Sequence, residues 1–224
     1  MFRHITAIII AMSLFAGFSL PSAASVEEKD WGIAMGFRIA RIPYKTSEKQ
    51  VADVVPLMFY NGDRFFIRGL TGGIKLFTHD DWQFNLIGRY RFFDIPAEFQ
   101  NLVRGNAVDI GGEVKYNFSK NLESRFEIMA DRDSRFYSSF STRYHWESGS
   151  LELMPYTSVR LKSSDFNSYY FGLDGFTDPE TLAPVSNRLG SGLDLTVGSE
   201  LRYHVKSNLY LIGRAQLTVL DNNV

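Results

Sequence analysis

The stretch LDLTVGSELRYHVK, residues 193–206, is the clearest indication of the fold. Its odd positions are apolar or aromatic except for one serine, and its even positions are mostly polar or charged. Successive side chains of a strand point to opposite faces, so this alternation predicts a strand with one apolar and one charged face. Strands of globular proteins commonly have about 5–6 residues, whereas a strand tilted through a bilayer needs about 9–11. The stretch is therefore typical of a membrane barrel.

The same alternation recurs along the rest of the chain. Further segments of this kind begin at Trp31, Trp82, Val108, Leu122, Phe136, Leu151 and Leu209. Short turn sequences separate them, among them Asn61-Gly62, the strongest type of short hairpin signal. No helical pattern of useful length competes. The chain is thus predicted to be all-β, an antiparallel up-and-down transmembrane β-barrel, because closure removes exposed strand edges.

A soluble barrel of lipocalin type is the alternative, with the same alternation but its apolar face inward. Long strands, aromatic residues at strand ends and opposite charges on the polar face favour the membrane version. We expect these charges to form ladders across a lumen. They are Arg89, Arg91, Asp109, Glu113, Lys115, Glu123, Arg125 and Glu127.

The first 25 residues have the three parts of a secretory signal peptide. Arg3 and His4 precede the apolar run Ile5–Leu20, and Pro21 leads into four small residues. The run is shorter than the about 20 apolar residues that a transmembrane helix needs. We predict cleavage after residue 24 or 25, so that residues 1–25 are the signal peptide and 26–224 the outer-membrane barrel.

Composition excludes several classes of protein. A net charge of −1 gives no basic footprint for nucleic acid. The absence of cysteine excludes both a lipoprotein anchor and disulfides. No second run of about 20 apolar residues exists, so helical membrane spans are not expected. The 19 Phe, 11 Tyr and 3 Trp suit the aromatic girdles of a membrane barrel.

Glycines predict one irregularity in the strands. Within Phe65–Phe77 the apolar positions change from odd to even numbers. Gly69, Gly72 and Gly73 lie where this change occurs. Glycine inside a strand pattern often marks a bulge or a bend, so we expect one of these here.

Prolines predict further breaks. Pro56 and Pro155 lie inside strand-like runs and are expected to mark a bulge or a strand end, because proline lacks the ladder donor. Two longer segments, Ile95–Asn106 and Gly175–Leu189, contain prolines and are predicted to be loops. The segment Phe166–Leu173 fits either a strand or part of a loop.

Catalytic chemistry has little support in the sequence. The histidines outside the first 25 residues are His79, His145 and His204. His145 shares a strand face with Ser139 and Ser141, but strand rise places them about 13–20 Å away, whereas a catalytic pair needs about 2.6–3.2 Å. Asp131–Ser134 lacks the ligands and the glycine of an EF-hand loop and is predicted to be a hairpin turn. We therefore predict no enzyme and no catalytic, cofactor or metal site.

A series of short motifs runs in order between Trp31 and Val224. They are Pro43-Tyr44-Lys45, Val55-Pro56, Tyr60-Asn61-Gly62-Asp63-Arg64-Phe65-Phe66, Arg68-Gly69-Leu70, Gly72-Gly73, Asn167-Ser168-Tyr169-Tyr170-Phe171-Gly172 and Leu220-Asp221. In this combination the chain resembles the MltA-interacting protein (MipA/OmpV) family of Gram-negative outer membranes. It departs from the family at Thr71, where glycine is usual, and at Asp174–Pro179, where the family has a segment with serine and glutamate.

The resemblance implies a further terminal strand that ends in an aromatic residue, and this chain stops at Val224 without one. We expect about 12 strands in the full-length form, with the last strand missing here. A gap or weak pairing is accordingly expected between Trp31–Ile39 and Leu209–Val219. Barrels of this class normally have an even number of strands, which agrees with twelve.

The resemblance also implies a function. It is that of a non-enzymatic scaffold in the outer membrane, which brings a peptidoglycan lytic transglycosylase together with a bifunctional penicillin-binding protein, the synthase, during cell-wall growth. The alternative is a passive pore or a surface adhesin. Outer-membrane lipid is the expected surrounding, and neither nucleic acid nor a cofactor is expected as a partner.

Overall fold

The computed structural model describes residues 8–18, 31–41, 50–91, 107–174, 181, 183–184, 186–206 and 209–220. Nearly all of these residues lie in antiparallel strands. The strands are β1 (Ile8–Phe18), β2 (Trp31–Arg41), β3 (Gln50–Asn61), β4 (Phe65–Gly69), β5 (Thr71–His79), β6 (Trp82–Arg91), β7 (Ala107–Asn117), β8 (Leu122–Ala130), β9 (Phe136–Tyr144), β10 (Trp146–Ser148), β11 (Leu151–Lys162), β12 (Gly192–Lys206) and β13 (Leu209–Val219). One helix, α1, spans Ser164–Tyr170.

The strands form one closed antiparallel sheet. Apart from β9 and β10, strands that follow one another in the chain pair with each other, and β1 also pairs with β13. The ring closes where β11 pairs with β9. β10 pairs with β11 in the same register as β9 does, so β9 and β10 act as one strand interrupted at His145. Within the described part the ring then has twelve positions, and the predicted all-β barrel is confirmed.

The barrel has an apolar outside and a charged inside. On β12, Leu195, Val197 and Leu201 are exposed, with Val197 at 53%, whereas Asp194 and Glu200 are each only 3% exposed. The exposed large apolar side chains of the other described strands follow the same alternation. A soluble barrel would bury the apolar face, so this arrangement decides in favour of the membrane version.

The two ends of the barrel differ in their connections. At one end, here called the short-turn end, five connections have two to four residues: 62–64, 80–81, 118–121, 149–150 and 207–208. Residues 19–30, which contain the predicted cleavage site, also connect strands at this end. At the opposite, long-loop end the connections are 42–49, 92–106, 131–135 and 163–191. Among the described residues no helix is both long and apolar enough to cross a bilayer.

The glycine-rich irregularity is a tight hairpin. Gly69, with a φ of 68°, and Leu70 connect β4 to β5, and Arg68 pairs with Thr71 across the turn. Glycine adopts this left-handed conformation at little cost, which explains its place in the turn. A register shift follows between Lys75 and Phe77 against β6. The predicted bend is therefore confirmed, and it accounts for the change from odd to even apolar positions.

The expectation that Pro56 and Pro155 mark a bulge or a strand end is wrong for the strands that contain them. β3 and β11 continue through Pro56 and Pro155 in regular register with β2 and β12. In the described residues the interruption is on the other side of each strand. β11 has no register partner on β9 or β10 between Leu153 and Tyr156, and β3 pairs with β4 only from Met58 onward. Proline has no backbone N–H to donate, so it fits at a position where no neighbouring strand is paired on that side.

Ile8–Phe18 lie as β1 between β13 and β2. In the described part β1 pairs with both β2 and β13, so these two strands do not pair directly with each other and no gap separates them. The missing terminal strand stays a prediction. The signal peptide stays a prediction. The predicted loop at Ile95–Asn106 lies outside the described residues, and the described part of Gly175–Leu189 belongs to no helix or strand.

The segment Phe166–Leu173, which was expected to be a strand or part of a loop, lies largely in helix α1. The expectation that the chain has no helix is therefore wrong here. The Ser163 side chain caps α1 by accepting a hydrogen bond from the Phe166 N–H at 3.2 Å. Asp165 lies in the first turn, where a negative charge favours a helix. Phe166 and Tyr170 are four residues apart and share one face. A helix of seven residues is too short for its periodicity to show in the sequence.

Candidate functional site in the barrel lumen

Ion pairs line the lumen near the long-loop end. Arg91 donates to both carboxylate oxygens of Asp109 at 2.8 and 2.9 Å, and Arg89 donates to both oxygens of Glu127 at 2.9 and 2.8 Å. Tyr137 adds a hydrogen bond from its hydroxyl to Asp109 at 3.1 Å. Arg91 uses two nitrogens and is therefore bidentate, which fixes the orientation of both partners, whereas Arg89 uses one. The predicted charge ladder is therefore present.

A second network lies nearer the short-turn end. Arg68 donates through one nitrogen to both oxygens of Glu113 at 2.8 Å, and Glu113 also lies 3.3 Å from Arg125. Arg125 lies 3.2 Å from Glu123, which pairs with Lys115 at 2.9 Å. Three cations thus share two carboxylates in this part of the ladder.

The opposite wall carries a separate set of charges. Glu200 of β12 binds both Arg202, at 2.8 Å, and Arg214. Lys162 and Asp194 form a buried ion pair with 2.7 Å between the ammonium and the carboxylate oxygen. Burying an ion is costly unless it is paired, which explains why these charges occur together. The sequence showed that these residues are polar but not which of them pair.

Helix α1 fills part of the lumen. Phe166 and Tyr170 pack together with ring centroids 4.5 Å apart, and Phe166 lies 5.1 Å from Tyr137. They belong to one buried apolar cluster with Phe66, Ile87 and Met129. The guanidinium of Arg91 lies over the rings of Tyr170 and Phe166, at 4.1 and 4.9 Å from their centroids. The helix therefore acts as a plug, anchored to the inner wall by aromatic packing.

Three charged or polar groups fasten α1 to the hairpin between β8 and β9. The Tyr170 hydroxyl donates to Asp131 at 2.6 Å, and Arg135 donates to the same oxygen at 2.8 Å. Burial raises the pKa of Asp131, but these hydrogen bonds outweigh it and hold that pKa below its usual range. Burial and the bond to Asp131 raise the pKa of Tyr170. Asp131 also accepts from the Asp133 N–H at 3.0 Å, as in the predicted hairpin turn.

The Asn167–Gly172 motif holds the following segment against the helix. Asn167 donates from its side chain to the Gly190 carbonyl at 2.8 Å. Ser168 donates to the Leu189 carbonyl at 3.0 Å and accepts from the Leu189 N–H at 2.9 Å. A Cβ at Gly172 would lie 2.3 Å from the carbonyl oxygen of Asn187, so only glycine fits. The motif is thus explained by packing of the plug.

The histidines lie apart from the serines considered above. Ser139 donates to Glu127 at 3.3 Å, and His145 lies in the interruption between β9 and β10. His79 is exposed and lies 3.5 Å from Asp80. No group of three or more His, Asp or Glu side chains in the described residues could hold a metal ion. The predicted absence of catalytic, cofactor and metal sites stays a prediction.

Comparison with known proteins places this barrel among outer-membrane proteins. The family described as MltA-interacting protein MipA matches residues 33–224. The putative outer membrane protein YiaT of Escherichia coli strain K12 is 23% identical over 178 residues, which cover 74% of this chain and 70% of YiaT. YiaT of Escherichia coli O157:H7 matches equally well. A solved bacterial polysaccharide outer membrane secretin is 9% identical to this chain, with a TM-score of 0.36. The match covers 94% of this chain and 97% of the secretin chain.

Proposed function

Because the chain belongs to the MltA-interacting protein family, MipA, we propose that it is a non-enzymatic scaffold for cell-wall growth. It is an outer-membrane protein with a barrel fold. In the proposed role it holds a peptidoglycan lytic transglycosylase next to a bifunctional penicillin-binding protein. Family membership is the single observation that carries this proposal, since the family name itself specifies an interaction with MltA.

The short-turn end is the proposed docking face. Barrels of the outer membrane have short periplasmic turns and longer extracellular loops, so the short-turn end is assigned to the periplasm. The cell wall and its enzymes lie on that side. Charged, exposed side chains are available there for a partner, namely Asp63, Arg64, Asp80, Asp81 and Lys120.

The hydrogen-bond partners of the carboxylates and serines in the lumen support a non-enzymatic protein. The buried carboxylates Asp109, Glu113 and Glu127 are each bound to an arginine, and the Ser139 hydroxyl donates to Glu127. A nucleophile needs a base within hydrogen-bond reach. The plug formed by α1 and the ion pairs also narrows the lumen, which favours a scaffold over a passive pore.

Cysteine cross-linking tests the proposal, because the chain has no native cysteine. Lys120→Cys lies at the short-turn end, and Arg132→Cys is its matched control at the long-loop end. With a thiol-reactive cross-linker on living cells, Lys120→Cys is expected to capture the lytic transglycosylase and Arg132→Cys is not. Equal capture at both ends, or none at either, would contradict the scaffold. Steady single-channel conductance of the purified protein would support the pore instead.

We also propose that residues 1–25 are removed on export, as a signal peptide is. Sequencing the amino terminus of the protein isolated from outer membranes tests this. A start at Ser25 or Val26 supports the proposal. A start at Met1 would show that β1 stays in the barrel.

A further inference from the structure

A cavity of 360 Å³ opens at the short-turn end of the barrel. Its wall is formed by the first residue of β2, the last residues of β3, part of β4, and single residues of β5, β6 and β7. The lining residues are Trp31, Phe59, Tyr60, Asn61, Phe66, Ile67, Arg68, Lys75, Gln83 and Lys115. Cavities that hold small ligands have about 300–1,000 Å³, so this one has room for a small ligand only.

The cavity lies in a region with excess positive charge. Arg68, Lys75 and Lys115 line it, and no carboxylate does. Glu113 and Glu123 pair with Arg68 and Lys115 of this lining and are shared with Arg125 as well. These four cations and two carboxylates carry a formal charge of +2 between them. Such a cavity attracts an anion, because apolar walls focus the field of uncompensated charges.

Lys75 is the cation best placed to meet a ligand. Its ammonium donates to the side-chain oxygen of Asn61 at 3.0 Å and to the carbonyl of Gly62 at 2.8 Å. Both acceptors are neutral, and no carboxylate lies within 4 Å of Lys75 among the described residues. A lysine ammonium has three donors, so one remains for a bound group.

The rest of the lining supplies aromatic surface and amides. Phe66 is buried under the guanidinium of Arg68, which lies 4.3 Å from its ring centroid. Trp31 and Tyr60 are paired neighbours at the rim, and each is partly exposed. The amides of Asn61 and Gln83 can donate and accept hydrogen bonds. Aromatic faces pack against the C–H faces of sugar rings, and amides bind hydroxyl groups.

We propose that this cavity binds an anionic sugar of one or two rings. The carboxylate of the sugar contacts Lys75, its hydroxyls bond to the amides of Asn61 and Gln83, and its ring packs against the aromatic wall. Most of the lining polar groups belong to residues of the lumen wall, so the ligand enters from water rather than from lipid. This site is independent of the proposed scaffold and does not require a protein partner.

Titration of the full-length protein in detergent micelles tests the proposal. Glucuronic acid and glucose are the matched probes, since they differ only in the carboxylate at C6, and isothermal calorimetry follows binding. We expect saturable binding of glucuronate, at least tenfold weaker binding of glucose, and weaker binding of glucuronate at high salt. Lys75→Gln is expected to weaken glucuronate binding about tenfold. Lys120→Gln, which removes the same charge outside the cavity, leaves binding unchanged.

Several results would overturn the proposal. These are no saturable glucuronate binding, equal binding of glucose, and equal losses in the two lysine variants. Octanoate serves as a competing ligand that represents a lipid-derived carboxylate. If octanoate displaces glucuronate at a concentration below that of glucuronate, the site is assigned to lipid instead. Each variant is first checked for heat-modifiable migration on a gel, which shows that its barrel is folded.

Discussion

At the scale of single residues, the contact between Tyr170 and Asp131 fastens the plug to the barrel wall. The hydroxyl donates to a carboxylate that also accepts from Arg135, so three residues depend on one another. Hydrogen bonds to a charged group contribute more to stability than neutral ones do. Removing the Tyr170 hydroxyl would leave Asp131 buried with one donor fewer.

Tyr170→Phe is therefore expected to destabilise the barrel by about 1.5–3 kcal/mol, the range for a hydrogen bond to a charged group. The aromatic packing on Phe166 is kept by this change, so the effect isolates the hydroxyl. The midpoint of urea unfolding in micelles measures it. Tyr203→Phe is the control, since that side chain is exposed on the outside. An unchanged midpoint for Tyr170→Phe would show that the contact is not stabilising.

The carboxylate of Asp131 predicts that the stability of the folded protein depends on pH. Its pKa in the folded protein is held below the ordinary value, so its contribution to stability is present above the unfolded pKa, about 3.9. The contribution is lost as the pH falls through the lower folded pKa. Asp131→Asn should thus be less stable than the native protein at pH 7, and the difference should shrink toward pH 3. A difference that stays constant over this range would contradict the assignment.

At the scale of elements, each strand divides its side chains between lipid and lumen. On β12, Val197 is exposed and its neighbour Thr196 points inward, where its hydroxyl lies 2.9 Å from that of Thr218. The one helix behaves differently, because it is held by the lumen wall and not by lipid. Each strand is therefore stabilised by placing its apolar face against lipid and its polar face in the lumen.

Lysine substitutions on β12 test this division. Val197→Lys is expected to cost about 2–4 kcal/mol if the site lies near the bilayer midplane, because a charge in hydrocarbon is poorly solvated. Thr196→Lys places the same charge in the lumen and should cost much less. Unfolding in lipid vesicles with urea measures both. Equal penalties would mean that the faces are assigned wrongly.

At the scale of the whole molecule, ring closure joins parts of the chain that are far apart. Arg68 and Glu113 are 45 positions apart and meet inside the lumen, and β9 meets β11 to complete the ring. Closed barrels satisfy all backbone groups within the bilayer, since no edge is left exposed to lipid. In the described structure β1 completes this ring between β13 and β2, so removal of residues 1–25 requires another strand in that place. The barrel should accordingly be an integral and resistant membrane protein.

The full protein is thus expected to stay in the outer-membrane pellet after a carbonate wash and to migrate faster on a gel when it is not heated. Its closed, compact form resists detergent until it is boiled, which is the physical reason for the two mobilities. Immunoblotting of the fractions, with a periplasmic protein as a marker, measures this. Release of the protein with that marker would disprove the membrane assignment.

Most strands, their two faces and the bend at Gly69 could be predicted from the sequence, because these depend on a period of two residues and on local backbone preferences. The sequence did not predict β1, which lies within the proposed signal peptide. It also indicated which charges line the lumen. Which of these charges pair could be seen only in the folded barrel, because partners such as Arg89 and Glu127 meet through the register of several strands. The position of α1 was likewise undetermined by the sequence, since a seven-residue helix leaves no clear periodicity and is stabilised by aromatic contacts to a distant wall.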